Sequence, residues 1–543
     1  MHRVHARRVA IALVACAFSC GAAAEDSAKL DLASALREAL RQNPNTLIQQ
    51  QQVGITRGSM LQALGQFDPV LTASASRGRE IRKLRRDESE ALGRGASGLN
   101  DPLAALLGLS TQAGLAPPTA QYSNNTTYSL GVEQTLRSGA TVGATAGVTS
   151  LYDNVSALND IPPQTSGRVG FSLRTPLLRY AGTEVTTANL TAAEAELEAS
   201  ANDTLFVNAQ TLLGTALSYW DFLARLRRLD IARDAERRAA RLVDETRKLI
   251  GADEMPAADI QLVQASHAER LAARIAAEQA VAEGRRNLAL QIGLPPEHAQ
   301  TLPTPANDFP ALERETPRTD RQIPALQSYA LLKRADLEAA RQREQAARYR
   351  VVFAQSALKP QVDLSMGVNY GSLLENRGPY ATGHVLGSGM VGPSMVATLA
   401  MQLPFRNTAA QGNFISASSA LEANTIRVRS LADAIGANVG TAAMALTRAA
   451  LQLAQSMDTT RHYRVSVANE RTKHRMGLAT LIDVINVEDR LTNALIAEVQ
   501  ARQAYAAAIV QLRFEVGGIV AERGGGFEVD IDSFFSPRFD TEH

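Results

Sequence analysis

The stretch "RMGLATLIDVINVEDRL", Arg475 to Leu491, decides the reading of this chain. A long polar helical pattern ends in it, a glycine follows, and a new helical pattern opens behind Thr480. A related stretch, "GADEMPAADIQLVQASHAERL", runs from Gly251 to Leu271. Each marks a place where a helix stops, reverses at a glycine and returns.

Outward from the tips, the flanking patterns are long. Between Thr183 and Ile250 there is no proline and one glycine, Gly214, which predicts a single helix about 100 Å long. The stretch from Phe414 to Met476 repeats this, with Gly436 and Gly440 inside it. Ala235, Ala239, Leu242, Thr246 and Leu249 recur at coiled-coil spacing, so the helix needs neighbours to bury its seam. The return helices are expected over 256–292 and 481–514.

Further out the period changes from helical to two-fold. Val362, Leu364, Met366, Val368 and Tyr370 alternate with polar or small residues, as do Val169, Phe171 and Leu173, then Tyr128, Leu130 and Val132, and Met395, Ala397, Leu399 and Met401. Such segments fit strands with one oily and one wet face; taken alone they suit a soluble sandwich as well as a membrane barrel. The landmarks are doubled. Pro69 in "FDPVLTASAS" and Pro360 in "LKPQVDLSMG" stand 291 positions apart, the same offset as Asn43 and Arg334. "TPLLR" and "LPFRN" then place Pro176 and Pro404 only 228 apart, so the first half carries about 63 additional residues. They include the charged run Arg77 to Asp101, Pro117-Pro118 and a hairpin turn at Arg137-Ser138-Gly139.

The expected organisation is a signal peptide over 1–24 and a first repeat over 25–300, with an insertion at 77–165. A proline-rich linker follows over 293–324, then a second repeat over 325–518, with strands at 361–371 and 394–404, and a tail over 519–543. Arg3, Arg7 and Arg8, the apolar run Val9 to Ser19 and Ala22-Ala23-Ala24 form the signal; a rival reading lipidates Cys20. Both cysteines, Cys16 and Cys20, lie in this segment, leaving none for disulfides or metal. Its removal takes three of 56 basic residues and none of 55 acidic ones, so the balance becomes 53 to 55. Near-neutrality gives no electrostatic case for nucleic acid. The apolar runs after residue 24 are too short for a transmembrane helix, so a membrane would be entered through a closed barrel.

In this order and doubling, "LDLASALREALRQNPN", "FDPVLTASAS", "SLRTPLLRYAG" and "RMGLATLIDVINVEDRL" resemble the TolC-like outer-membrane factor, or outer-membrane efflux protein, family from about Leu30 to Gly518. The resemblance implies an α+β membrane protein with two internal repeats. Outer-membrane β-barrel strands continue into long antiparallel helices that form a periplasmic α-helical barrel, and the whole is a homotrimer. It implies an exit duct for a tripartite efflux pump or type I secretion system, with a periplasmic adaptor, an inner-membrane pump and outer-membrane lipid as partners. No cofactor or enzymatic activity is implied. Four strands per chain give the family's twelve; the additional hairpin near 124–151 either joins the barrel, making six per chain and eighteen in all, or extends beyond the membrane, which is the expectation.

The resemblance also assigns the tips. Arg475, Gly477, Leu478 and Thr480 match its adaptor-docking pattern, with Gly251 at the first tip. Asp483, and Asn486 in place of a second acid, stand where the family carries the rings of its periplasmic aperture. The longer first tip carries Glu254 and Pro256. Its Asp259 is the partner for an ionic lock with His474 or Arg475, whereas Ala479 stands where some members have a locking arginine. Two other classes are weighed against this. The eight histidines form no metal-spaced pair or HExxH, and no glycine-rich phosphate loop follows a strand, which argues against an enzyme. A secreted coiled-coil structural or adhesion protein accounts for the helices but leaves the mirrored alternating segments without a purpose.

Overall fold

The computed structural model describes residues 29–96, 118–158, 161–253, 255–312, 319–375, 384–387, 389–523 and 526–536. The signal segment with Cys16 and Cys20 lies outside these, as do Glu254, the stretch 97–117, and residues 537–543 of the tail.

The chain begins with α1 (Leu32–Gln42) and α2 (Pro44–Leu64), followed by β1 (Val70–Lys83), α3 (Arg86–Ala96), β2 (Ala120–Thr135), β3 (Thr141–Asp153), the one-turn α4 (Asn154–Leu158) and β4 (Gln164–Pro176). Then come α5 (Thr183–Gly251) and its return α6 (Asp259–Ile292). The second half runs α7 (Thr319–Lys333), α8 (Ala335–Ala357), β5 (Gln361–Glu375), β6 (Val391–Gln402), α9 (Thr408–Arg475) and α10 (Leu481–Val516), with a small hairpin β7 (Ala521–Arg523) and β8 (Gly526–Glu528) at the end. At 69 and 68 residues, α5 and α9 each extend about 100 Å. Among the described residues no helix is long and apolar enough to cross a membrane.

β1 to β6 form one antiparallel sheet in chain order, and among the described residues the only other sheet is the β7–β8 pair. Among the described residues no second large sheet faces the first, as a sandwich would require. The expectation of four strands, with the 124–151 hairpin projecting beyond them, is corrected here. β2 and β3 fill the positions between β1 and β4, in unbroken register from Val70↔Glu133 to Lys83↔Ala120, and through β3 to β4.

The register sorts side chains into two faces. Leu71 lies beside Val132 and Ala73 beside Leu130, whose β3 partners are Ala144 and Ala146; these in turn face Phe171 and Val169. Phe171 and Leu173 pair with Val368 and Met366, and these with Met395 and Ala397. One face is therefore apolar across all six strands, and most of its large side chains are exposed in the single chain. The opposite face carries Thr72, Ser129, Gly131, Gly143, Thr145, Ser172, Gly170, Gly367 and Thr398. Each strand has 12 to 16 residues, more than the 9–11 or so that a tilted membrane strand needs.

Two large cores hold the helices together, with smaller clusters at Ala192, Ala195 and Ala346 and, near the tips, at Val243, Val263 and Leu481. One gathers Leu36, Leu212, Tyr219, Trp220, Leu288 and Phe534, joining α1, α5, α6 and the C-terminal tail. The other gathers Leu326, Leu337, Leu446, Tyr505 and Leu512 from α7, α8, α9 and α10. The first is tied off by the Tyr219 hydroxyl, which donates to the Leu30 carbonyl at 3.0 Å and accepts from the Asn307 amide at 3.1 Å. Burial pushes this phenol up to about 12.

Each short-helix pair breaks at an extended residue. Asn43 (φ −62°, ψ 125°) separates α1 from α2, because Pro44 disfavours helical geometry before it. Arg334 (φ −69°, ψ 115°) separates α7 from α8 without a proline. Its buried guanidinium pairs with Asp336 at 2.8 Å and Glu515 at 3.0 Å, between the rings of Phe206 and Phe514. A left-handed glycine closes a return helix against each break, Gly293 beside Gln42 and Asn43, Gly517 beside Lys333 and Arg334.

Candidate docking tips and gate

The second tip is built by backbone geometry. Gly477 adopts φ +73°, the Leu478 amide reaches back to the Lys473 carbonyl at 2.8 Å, and the Gly477 amide to His474 at 3.0 Å. This pair of bonds is the Schellman closure, which satisfies the last carbonyls of α9. The turn leaves Leu478 74% exposed, and Arg475, Met476 and Thr480 are exposed around it. Arg475 donates to Thr472 at 3.3 Å, and His474 Nδ1 donates to the Ala479 carbonyl at 2.9 Å.

Thr480 caps α10. Its amide donates to Asp483 Oδ2 at 2.9 Å, its hydroxyl donates to the same oxygen at 2.5 Å, and the Asp483 amide approaches the hydroxyl at 3.3 Å. This is a capping box, with aspartate as its fourth residue. The Thr480 hydroxyl, followed by the Thr480 amide, holds the Asp483 carboxyl below the usual carboxylate range. Asp483 and Asn486 lie on the exposed side of α10, while Leu481 and Val484 face inward.

The first tip differs from the expected turn. Gly251 is the last residue of α5 and is not left-handed; Asp253, at φ +57°, makes the reversal. A side-chain carboxylate two residues past the helix end tolerates that region, which hid the turn from a glycine search. The return helix begins at Asp259 rather than at Pro256, because 256–258 still form the turn. Among the described residues no ion pair joins Asp259 to His474 or Arg475.

Just above the tips lies a charged clamp without a sequence signal, since its members are far apart in the chain. Glu488 of α10 receives Arg471 Nε of α9 at 2.8 Å and faces Arg238 Nε of α5 at 3.7 Å. Arg238 also donates to Thr492 at 3.2 Å, and the adjacent Asp489 pairs with Arg270 of α6. All four long helices therefore meet at Glu488 and Asp489. The Arg238 and Glu488 side chains are 16% and 14% exposed, and burial pulls the Arg238 guanidinium below its ordinary value. Between α5 and α9 opens a groove of about 430 Å³, lined by Arg238, Arg241, Arg471, Arg475, Glu245 and Glu488 among others.

A six-stranded sheet with one continuous apolar face thus stands beside two long helical hairpins that end in these tips. Residues 326–518 match the family model described as outer membrane efflux protein. The fold is similar to that of the outer-membrane channel OprN, at 16% identity and a TM-score of 0.64, covering 90% of each chain. It is similar to the CmeC outer-membrane channel of Campylobacter jejuni at 14% and 0.63, covering 90% of this chain and 85% of that one. The outer-membrane protein VceC of Vibrio cholerae gives 16% and 0.60, covering 90% and 96%. No curated protein sequence matches. The family match falls on the second half of the chain, and the fold likeness extends over 90% of it. The matched family and folds are channel proteins rather than enzymes.

Proposed function

We propose that three copies of this chain join β6 of one to β1 of the next, closing a barrel in the outer membrane. Their hairpins continue it as a helical tunnel across the periplasm. The assembly is a passive exit duct for a tripartite efflux pump or a type I secretion system. The observation carrying this reading is the apolar face that spans all six strands and ends at two edges, β1 and β6, without a partner among the described residues. In lipid such edges are satisfied only by closure. Two further features support it: a tip that leaves Leu478 bare, and an arginine-rich groove beside it, suited to carbonyls and carboxylates of a periplasmic adaptor. On this reading Arg475, Gly477, Leu478 and Thr480 dock the adaptor. Asp483, with Asn486 beside it, forms a ring that favours cations, and Asp259 links to the hairpin of the next copy.

The test is conductance of detergent-extracted protein in planar bilayers, wild type against Asp483→Asn. Asparagine keeps an oxygen for the Thr480 amide, so the cap survives while the charge goes. Discrete channels whose cation selectivity drops in the variant are expected. Unchanged selectivity would dismiss the ring and keep the duct; a protein that needs no detergent and forms no channels would end the duct reading.

A further inference from the structure

The position of the β2–β3 hairpin has a consequence for the width of the exit. Resting on the trimeric reading above, we infer that each copy places six strands in the membrane. The closed barrel then has eighteen strands, and its lumen is wide enough to pass folded polypeptide rather than small solutes alone.

Three observations carry this. First, β2 and β3 lie inside the sheet, with β1 on one side and β4 on the other, so β1 reaches the rest of the sheet only through them. Second, the hairpin shares the membrane pattern of its neighbours. Tyr128, Leu130 and Val132 of β2, with Val142, Ala144, Ala146 and Val148 of β3, continue the same apolar face as Leu71, Phe171 and Met366. A hairpin projecting into water has no use for that face. Third, small groups occupy much of the opposite face: Ser129, Gly131, Gly143, Thr145, Gly147 and Gly170 stand there, with Glu133, Arg168 and Arg174 as the large charged side chains among them. The described part of the β5–β6 connection stays off that lining, because the Ser372 hydroxyl on the apolar face donates to the Val385 carbonyl.

The geometry sets the size. Strands about 4.8 Å apart and tilted by about 40° occupy about 6.3 Å of circumference each. Eighteen give a backbone radius of about 18 Å, against about 12 Å for twelve, so the cross-section roughly doubles. Glycine, serine and threonine intrude little, leaving room for an α-helix about 10–12 Å wide, or a pair of them.

The mature sequence has no cysteine once residues 1–24 are removed, so single cysteines report cleanly. Trimers of Ser129→Cys, Thr145→Cys, Leu130→Cys and Ala146→Cys would be reconstituted in liposomes and treated with a charged, water-soluble maleimide. The first two are expected to label fully and the last two to be protected at least tenfold. Equal labelling of all four would place the hairpin in water and overturn the inference. Electron cryomicroscopy of the same trimers would count the strands, eighteen being expected and twelve overturning it. Light scattering on the extracted protein checks the trimer separately, so a failure of assembly is distinguishable from a trimer with a narrower barrel.

Discussion

Single residues set how much strain each turn carries. Gly477 and Gly293 both sit left-handed, yet a methyl group meets different surroundings at each. Nothing lies within 4 Å of a Cβ built on Gly477, so Gly477→Ala costs only backbone strain, about 1–2 kcal/mol. A Cβ on Gly293 lands 2.5 Å from the Gln42 carbonyl oxygen and 2.9 Å from Asn43 Cα, so Gly293→Ala costs about 3 kcal/mol or more. Thermal unfolding of the two variants side by side checks the order; equal melting points would refute it. Asp483 gives the pH dependence. Its folded carboxyl titrates below the unfolded value of 3.8, so the cap's contribution is complete above that value and fades as pH falls through the lower, folded one. Channel cation selectivity should therefore persist in acid beyond the point where an ordinary carboxylate neutralises, and its loss nearer pH 5 would mean that another group carries it. Gly477 and Thr480 were legible because a glycine stop and a hydroxyl cap are local signals. Asp253 was not, since nothing distinguishes it from its acidic neighbours until the backbone is seen.

Elements are held in place by interactions that cross long stretches of chain, and here the sequence is less informative. The helices α5 and α9 were readable from the absence of proline, and the strands from their alternation. The start of α9 was misplaced by six residues, since Asn407, left-handed at φ +41°, turns the chain before Thr408 without a proline or glycine to signal it. The place of β2 and β3 was missed for a different reason: alternation identifies a strand but not its neighbour. The Arg238–Glu488–Arg471 clamp is likewise a meeting of three helices. Glu488→Gln leaves Arg238 half-paired in a mostly buried position and is expected to cost about 1–3 kcal/mol. Faster hydrogen exchange across the tip turns of α9 and α10 would show it. Exchange unchanged from wild type would mean that Asp489 and Arg270 suffice.

At the scale of the molecule, the belt around mid-helix joins distant parts of the chain. Leu30 pairs with Pro305, and Phe535 stands edge-on to Trp220 at 5.5 Å. Trp220 is the only tryptophan and is fully buried, so its fluorescence reports on this belt alone. Removal of residues 519–543 is expected to shift its emission to the red and admit acrylamide; a spectrum identical to wild type would show that the tail does not cover it. Such a belt has no sequence pattern, because its segments become neighbours only after the long helices have folded back.

The sheet itself carries a history. β1 to β4 follow one another in the chain and can zip together as they emerge, but the partner of β4 is β5. Their pairing joins Pro176 to Asp363, 187 positions apart. Closing so long a loop is slow and comes late, after both α5 and α6 have been made. Until then the young protein holds four strands with an open margin and an oily side, so the step that risks mispairing between copies is the wait for its own second half.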